Sequence, residues 1–138
     1  MSDLKVTPVQ TDEELMEFIS FPWEVYKNNN YWVPPLISER LEFLDKQKNA
    51  FFQHAEGEYY LARRGERVVG TIAVFTNRLY NEFQDVNWGF FGLFEVLEDP
   101  EAARALLRAA ESWARVAGHD KLVGPAQFST NDEVGLLL

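Results

Sequence analysis

The segment from Asn87 to Gly118 constrains the fold more than any other part of the chain. It opens with a nearly unbroken apolar run, Trp88-Gly89-Phe90-Phe91-Gly92-Leu93-Phe94-Glu95-Val96, passes through Leu97-Glu98-Asp99-Pro100, and continues as an alanine-rich stretch. A run of that length, bounded by loop residues, reads as a buried strand. Asp99 supplies an N-cap and Pro100 suits a first helical position, so a helix follows. Ala102, Leu106, Ala109, Trp113 and Val116 recur as its buried face, with Arg104, Arg108, Glu111 and Arg115 on the solvated one, and Gly118 ends it. A strand, a tight loop and a helix in that order can form a binding crevice in an α/β fold, because helix N-termini present unpaired N–H groups to anions.

Strand and helix signals on either side complete the outline. Leu4 to Val9 alternates loosely, and Pro8 assigns it to an edge or an end. Thr11-Asp12-Glu13-Glu14 is a capping box, with Glu14 reaching back to the Thr11 amide, before the apolar face Leu15, Phe18 and Ile19. Pro22 is expected to interrupt that helix, with Trp23 to Tyr26 as a further turn. Pro34-Pro35 and the spacing of Ile37, Leu41 and Leu44 predict a second helix to about Lys46. Glu58–Arg63 and Val68–Phe75 are strands joined by a hairpin turn at Arg64-Gly65-Glu66-Arg67, with Gly70 marking a bulge or a close backbone approach. The polar segment Asn77 to Asp85 connects at the surface, and Lys121 to Phe128 is the fifth strand.

The elements therefore run β-α-α-β-β-β-α-β. Three sequential strands favour an antiparallel meander, and the helix from Pro100 to Ala117 favours a parallel crossover, giving a mixed α/β sheet with helices on its faces. The length of 138 residues suits one domain, 1–138. The ending Leu136-Leu137-Leu138 predicts a sheet completed by a missing C-terminal portion or by a partner, a homodimer among the options.

Composition narrows the function classes. Thirteen basic residues against twenty-two acidic ones give a net charge of −9, a field that repels nucleic acid and anionic membranes. No apolar run approaches the ~20 residues that span a bilayer. The absence of cysteine excludes disulfides, thiolate metal sites and cysteine nucleophiles, and a cytoplasmic protein is expected. His54 and His119 stand apart from any metal-ligand pattern, and no phosphate-binding lysine loop, Gly-x-Ser-x-Gly elbow or His-Glu-x-x-His is present.

The element order is similar to the N-terminal two-thirds of the GNAT N-acyltransferase superfamily, whose domains continue with one more helix and two strands. Tyr31-Trp32-Val33-Pro34-Pro35-Leu36, Asn49 to Glu56, Gly89-Phe90-Phe91-Gly92, Gly124 to Ser129 and Asn131 to Leu137 also resemble a branch of long-chain bacterial GNAT-like proteins of unassigned activity. The resemblance implies acyl transfer from acetyl-CoA or another acyl-CoA to a small-molecule amine. It implies that the fourth strand pairs its backbone with the pantetheine arm, so that Phe94, Val96 and Leu97, with Ser129 and Asn131 across the crevice, bind the acyl donor. Glu95 is the implied general base, and Tyr31, Trp32, Phe51 and Asp132 flank the acceptor.

Each of these residues has a structural alternative. Glu95 either faces water at the strand end or sits in a pocket as a base. Asn131, Asp132 and Glu133 either line a crevice or form a capped turn with Thr130. Tyr26 to Trp32 is a hydrophobic staple or a binding loop, and aromatic packing explains Tyr31, Trp32 and Phe51 equally well. The chain departs from the superfamily at the phosphate loop: no glycine falls between Val96 and Gly118, and Glu95, Glu98, Asp99 and Glu101 crowd it with negative charge. Two functions follow: a GNAT-like N-acyltransferase domain, or a non-catalytic GNAT-like binding or scaffolding lobe that pairs with another domain or subunit.

Overall fold

The computed structural model describes residues 3–28, 44–45, 55–126 and 134–137. Its elements are β1 (Leu4–Pro8), α1 (Asp12–Val25), β2 (Ala55–Arg64), β3 (Arg67–Asn77), α2 (Arg78–Gln84), β4 (Trp88–Val96), α3 (Pro100–Val116), β5 (Lys121–Ala126) and β6 (Val134–Leu137). The strands lie side by side in chain order as one six-stranded sheet. Every neighbouring pair is antiparallel except β4–β5, which the α3 crossover makes parallel. The mixed sheet of the sequence reading is thus present, with β6 as a further strand. The second helix expected from Pro34 to Lys46 lies outside the described residues except for Leu44 and Asp45.

Helix α1 begins as a capping box with one change of partner. Thr11 Oγ1 accepts the Glu14 amide at 3.0 Å, but the Glu14 carboxylate takes the amide of Gln10 at 3.1 Å rather than that of Thr11. Pro22 does not interrupt the helix, which continues to Val25. An interior proline loses the bond its N–H would make and crowds the carbonyl four residues back, a cost set against the burial of Phe18, Ile19 and Phe21 on the same element. The Tyr26 amide still donates to the Pro22 carbonyl at 2.9 Å.

The hairpin between β2 and β3 turns at Gly65, whose φ of 60° needs no Cβ, and a bulge follows where Ala62 pairs with Gly70 but Arg63 with Val68. The surface connection after β3 is a short helix, α2, which the sequence reading missed because none of its residues is buried. Asn77 caps it, Asp85 ends it in the left-handed region, and Asn81 pins it by bonding both backbone groups of Trp88. Leu136 and Leu137 pair through their backbones with Gly124 and Val123. Leu138 lies outside the described residues.

Two apolar layers sandwich the sheet. On the α1 side Phe18 and Ile19 pack with Leu61, Ala73, Phe75, Phe90 and Val123. On the α3 side Ala102, Leu106, Ala110 and Ala114 pack with Ala62, Ile72, Val74, Phe91 and Leu122. The buried stripe of α3 therefore advances by four residues each time. That step turns the stripe by about 40° around a helix with 100° per residue. Ala109 and Trp113 flank it half-buried, and Val116, expected inside, is 91% exposed.

Candidate functional site

Strand β4 changes geometry halfway along. Gly92 pairs with Ala73 and Glu95 with Thr71, so three steps on β4 answer two on β3. The extra residue is a bulge centred on Leu93, whose φ is 48°. A left-handed conformation costs a non-glycine residue about 1–2 kcal/mol and persists where its surroundings over-determine it. Here the buried Thr71 hydroxyl donates to the Leu93 carbonyl at 3.1 Å, and the Leu93 side chain packs on the α1-side core. No sequence signal located this bulge, because the position carries leucine where glycine would mark it.

On its other edge β4 is paired over three residues only. Trp88, Gly89 and Phe90 match Lys121, Leu122 and Val123, and no ladder pair among the described residues joins the two strands beyond that. Gly124 still lies against Phe91, where a Cβ would come within 2.5 Å of the Phe91 carbonyl oxygen. Past that contact β5 pairs with β6 while β4 continues through the bulge to Val96. Among the described residues the contact between the two strands thus ends at Phe91, four residues before Glu95.

Glu95 is half-buried and carries a partner that sequence spacing could not reveal. The Tyr26 hydroxyl, at the C-terminal end of α1, donates to its Oε2 at 2.8 Å across 69 residues of sequence. Because it donates to a carboxylate and is partly desolvated, the Tyr26 phenol is raised above its ordinary pKa. Phe94, Val96 and Leu97 pack in the layer beneath α3. Their side chains are taken up there, and the Leu97 amide donates to the Val69 carbonyl at 3.0 Å.

The start of α3 is occupied by the chain's own groups. Asp99 Oδ1 accepts the Ala102 amide at 3.1 Å as N-cap. Arg64 at the end of β2 grips the same carboxylate through Nε at 2.6 Å and Nη2 at 3.0 Å. The guanidinium also meets Glu101 at 2.6 Å and Asp3 at 3.3 Å. The Arg64 bonds first, then the helix amides, hold Asp99 down to about 2, well below its usual range. The acidic crowding is therefore partly neutralised internally, but three carboxylates still face one guanidinium.

A second polar cluster lies at the other end of β4. His119 Nδ1 is 2.7 Å from Asn87 Oδ1 and its Nε2 is 2.7 Å from Thr76 Oγ1. Asn87 Nδ2 donates to the Gly118 carbonyl, so its oxygen faces the ring. In the neutral ring Nδ1–H then donates to Asn87 and Nε2 accepts from Thr76. Burial lowers the His119 pKa, with Asp120 acting in the opposite direction. Beside it an open cleft of about 210 Å³ is lined by Glu111, Arg115, His119, Asp120 and Lys121. It lies roughly 20 Å along the sheet from Glu95, at about 3.3 Å per strand residue, and shares no residue with the β4 bulge.

Tyr31, Trp32, Phe51, Ser129, Asn131 and Asp132 lie outside the described residues. Of the sequence-nominated set Phe94, Glu95, Val96 and Leu97 fall among the described residues; Glu95 stands apart from the other three, beside Tyr26, Thr71 and Leu93. Among the described residues no group of acidic and histidine side chains is arranged to hold a metal. No helix of the described residues is long and apolar enough to cross a membrane.

Comparison with known proteins gives relatives and a fold. No protein-family model matches the chain. A bacterial ceramide synthase of Caulobacter vibrioides (strain NA1000 / CB15N) is 40% identical over 138 residues, covering 99% of this chain and 36% of the relative. Protein YghO of Escherichia coli (strain K12) is 34% identical over 125 residues, covering 91% of this chain and 32% of the relative. The chain spans about a third of the length of these curated relatives, both bacterial and much longer. Among solved structures, a tandem GNAT protein from the clavulanic acid biosynthesis pathway superposes with a TM-score of 0.65 at 17% identity, over 87% of this chain and 35% of that one. The fold is GNAT-like.

Proposed function

We propose that this chain, folded as a GNAT-like domain, forms part of an N-acyltransferase that moves the acyl group of an acyl-CoA onto an amine. The bulge of β4 carries that function. It sets Glu95 on the stretch of β4 past its described ladder with β5, and along that edge an extended donor arm would pair with the backbone and find a carboxylate within reach. The pantetheine arm fits that edge. The diphosphate does not fit the start of α3 in the way helix N-termini usually hold one, because Asp99 and Arg64 already fill it.

When bound, the donor supplies an activated acyl carbonyl. Glu95 takes a proton from the ammonium of the acceptor, freeing the nitrogen lone pair to attack. The C–N bond forms as the C–S bond breaks, and the nitrogen sheds its second proton while the departing thiolate takes one up, the two exchanging through solvent. The relative named a ceramide synthase suggests an acceptor of the corresponding class, a long-chain amino alcohol, and a long acyl chain.

Calorimetric titration with acetyl-CoA and with a long-chain acyl-CoA tests donor binding. Saturation is expected, and no heat at millimolar ligand would overturn it. In an assay of amide formation, Glu95→Gln is expected to lower kcat about 10²–10⁴-fold while donor binding persists. Unchanged turnover would remove Glu95 as the base, whereas no turnover in the parent would favour a second reading, a non-catalytic lobe that pairs with another domain or subunit, to which the self-capped start of α3 already lends support.

A further inference from the structure

We infer that Tyr26 is a positioning residue for Glu95, holding the carboxylate in one rotamer from the end of α1. The inference rests on the acyltransfer reading, in which Glu95 is the base. Its geometry is independent of that reading. Glu95 stands on a bulged segment where the strand no longer dictates side-chain direction by simple alternation. Two fixed points bracket it. Thr71 ties the bulge backbone from β3 at 3.1 Å, and Tyr26 ties the carboxylate from α1 at 2.8 Å.

Tyr26 is itself well anchored. Its amide closes the last turn of α1 on the Pro22 carbonyl, and Phe18, Ile19 and Phe21 bury that helix on the sheet. A phenol is a rigid reach with few rotatable bonds, so the hydroxyl arrives with little entropy left to lose. It occupies one of about four lone-pair sites on the carboxylate, and an O–H donor favours the ionised form that a base requires. The raised Tyr26 pKa keeps the phenol protonated, and so donating, through neutral pH.

Glu24 on α1 is engaged by Lys27 at 3.5 Å and by Arg67 of β3 at 3.0 Å. Thr71, opposite Glu95 on β3, does not titrate in this range.

The test compares Tyr26→Phe with the parent in the pH profile of kcat/KM for amide formation. The acid limb is expected to move up by about one pH unit, so that activity below it falls about tenfold and returns as pH rises, with donor affinity unchanged. A superimposed profile would overturn the inference. A second measurement needs no activity: NMR of tyrosine labelled at Cζ, with Tyr26 assigned through the Phe variant. Its titration is expected to move to lower pH in Glu95→Gln, and an unmoved resonance would overturn the contact. The two readings fail separately. Glu95→Gln with full activity removes the base, whereas an inactive Glu95→Gln beside an unaltered Tyr26→Phe profile removes only the role of Tyr26.

Discussion

A Cβ at Gly124 would lie 2.5 Å from the Phe91 carbonyl oxygen, whereas one at Gly70 would meet the Leu106 Cδ1 methyl at 2.6 Å. The methyl ends a flexible side chain and can turn away; the carbonyl belongs to a strand. Gly70→Ala is expected to cost about 1–3 kcal/mol in urea unfolding, and Gly124→Ala more than Gly70→Ala in the same measurement. His119 makes a pH-dependent contribution of opposite sense to a paired histidine. Its folded pKa lies below 6.5, so the unfolded chain binds the proton more tightly and stability falls as pH drops below that value. Unfolding midpoints from pH 8 to 5 are expected to show that decline, and His119→Gln to lose it. The Asp99 carboxylate adds a second, more acidic window. Its folded pKa of about 2 sits below the ordinary 3.8, so its contribution is complete above that value and fades as pH falls toward 2.

Elements were more legible than their contacts. The hairpin at Gly65, the Asp99 cap and the crossover helix all rest on local chemistry that a few residues declare: a turn glycine, a capping carboxylate, a repeated apolar face. Helix α2 declares only its Asn77 cap and no repeated apolar face, since its hold on β4 comes from the amide of Asn81 and from the half-buried Tyr80 ring against Trp88 and Phe90. Pro22 misled for a related reason, because burial of Phe18, Ile19 and Phe21 just ahead of it holds the helix on the sheet, and burial is tertiary. Val116 misled because a pattern of threes and fours was extended past the point where the stripe had rotated away. Two substitutions on α3 separate these readings. Val116→Lys is expected to change stability by less than about 0.5 kcal/mol, as at any exposed position. Ala110→Leu, beneath the same helix, is expected to cost about 1–3 kcal/mol by overpacking, measured by chemical denaturation.

At the scale of the molecule, Glu95 was accessible to sequence reasoning because a lone carboxylate in an apolar run is conspicuous. The Tyr26 contact and the Leu93 bulge were not, because each depends on elements far apart in the chain meeting in the folded sheet. If an acyl-CoA binds along β4, its affinity must appear as stability. At one hundred times its Kd the donor is expected to add about 2.7 kcal/mol, read as an upward shift of the thermal transition.

The three-residue ladder between β4 and β5 also divides the sheet mechanically. Four strands are joined to one another by ladders along most of their length, while β5 and β6 are fastened to them through Trp88–Phe90 and through α3. The junction is clasped at one end, where Asn87 binds both His119 and Gly118 and its carbonyl takes the Asp120 amide at 2.9 Å. Such a seam is a hinge, and β5–β6 should open as a separate cooperative unit. In native-state hydrogen exchange the paired amides of β5 and β6 are expected to report a lower opening free energy than those of Leu61 and Ile72. Equal protection throughout would mean that the sheet yields only as a whole.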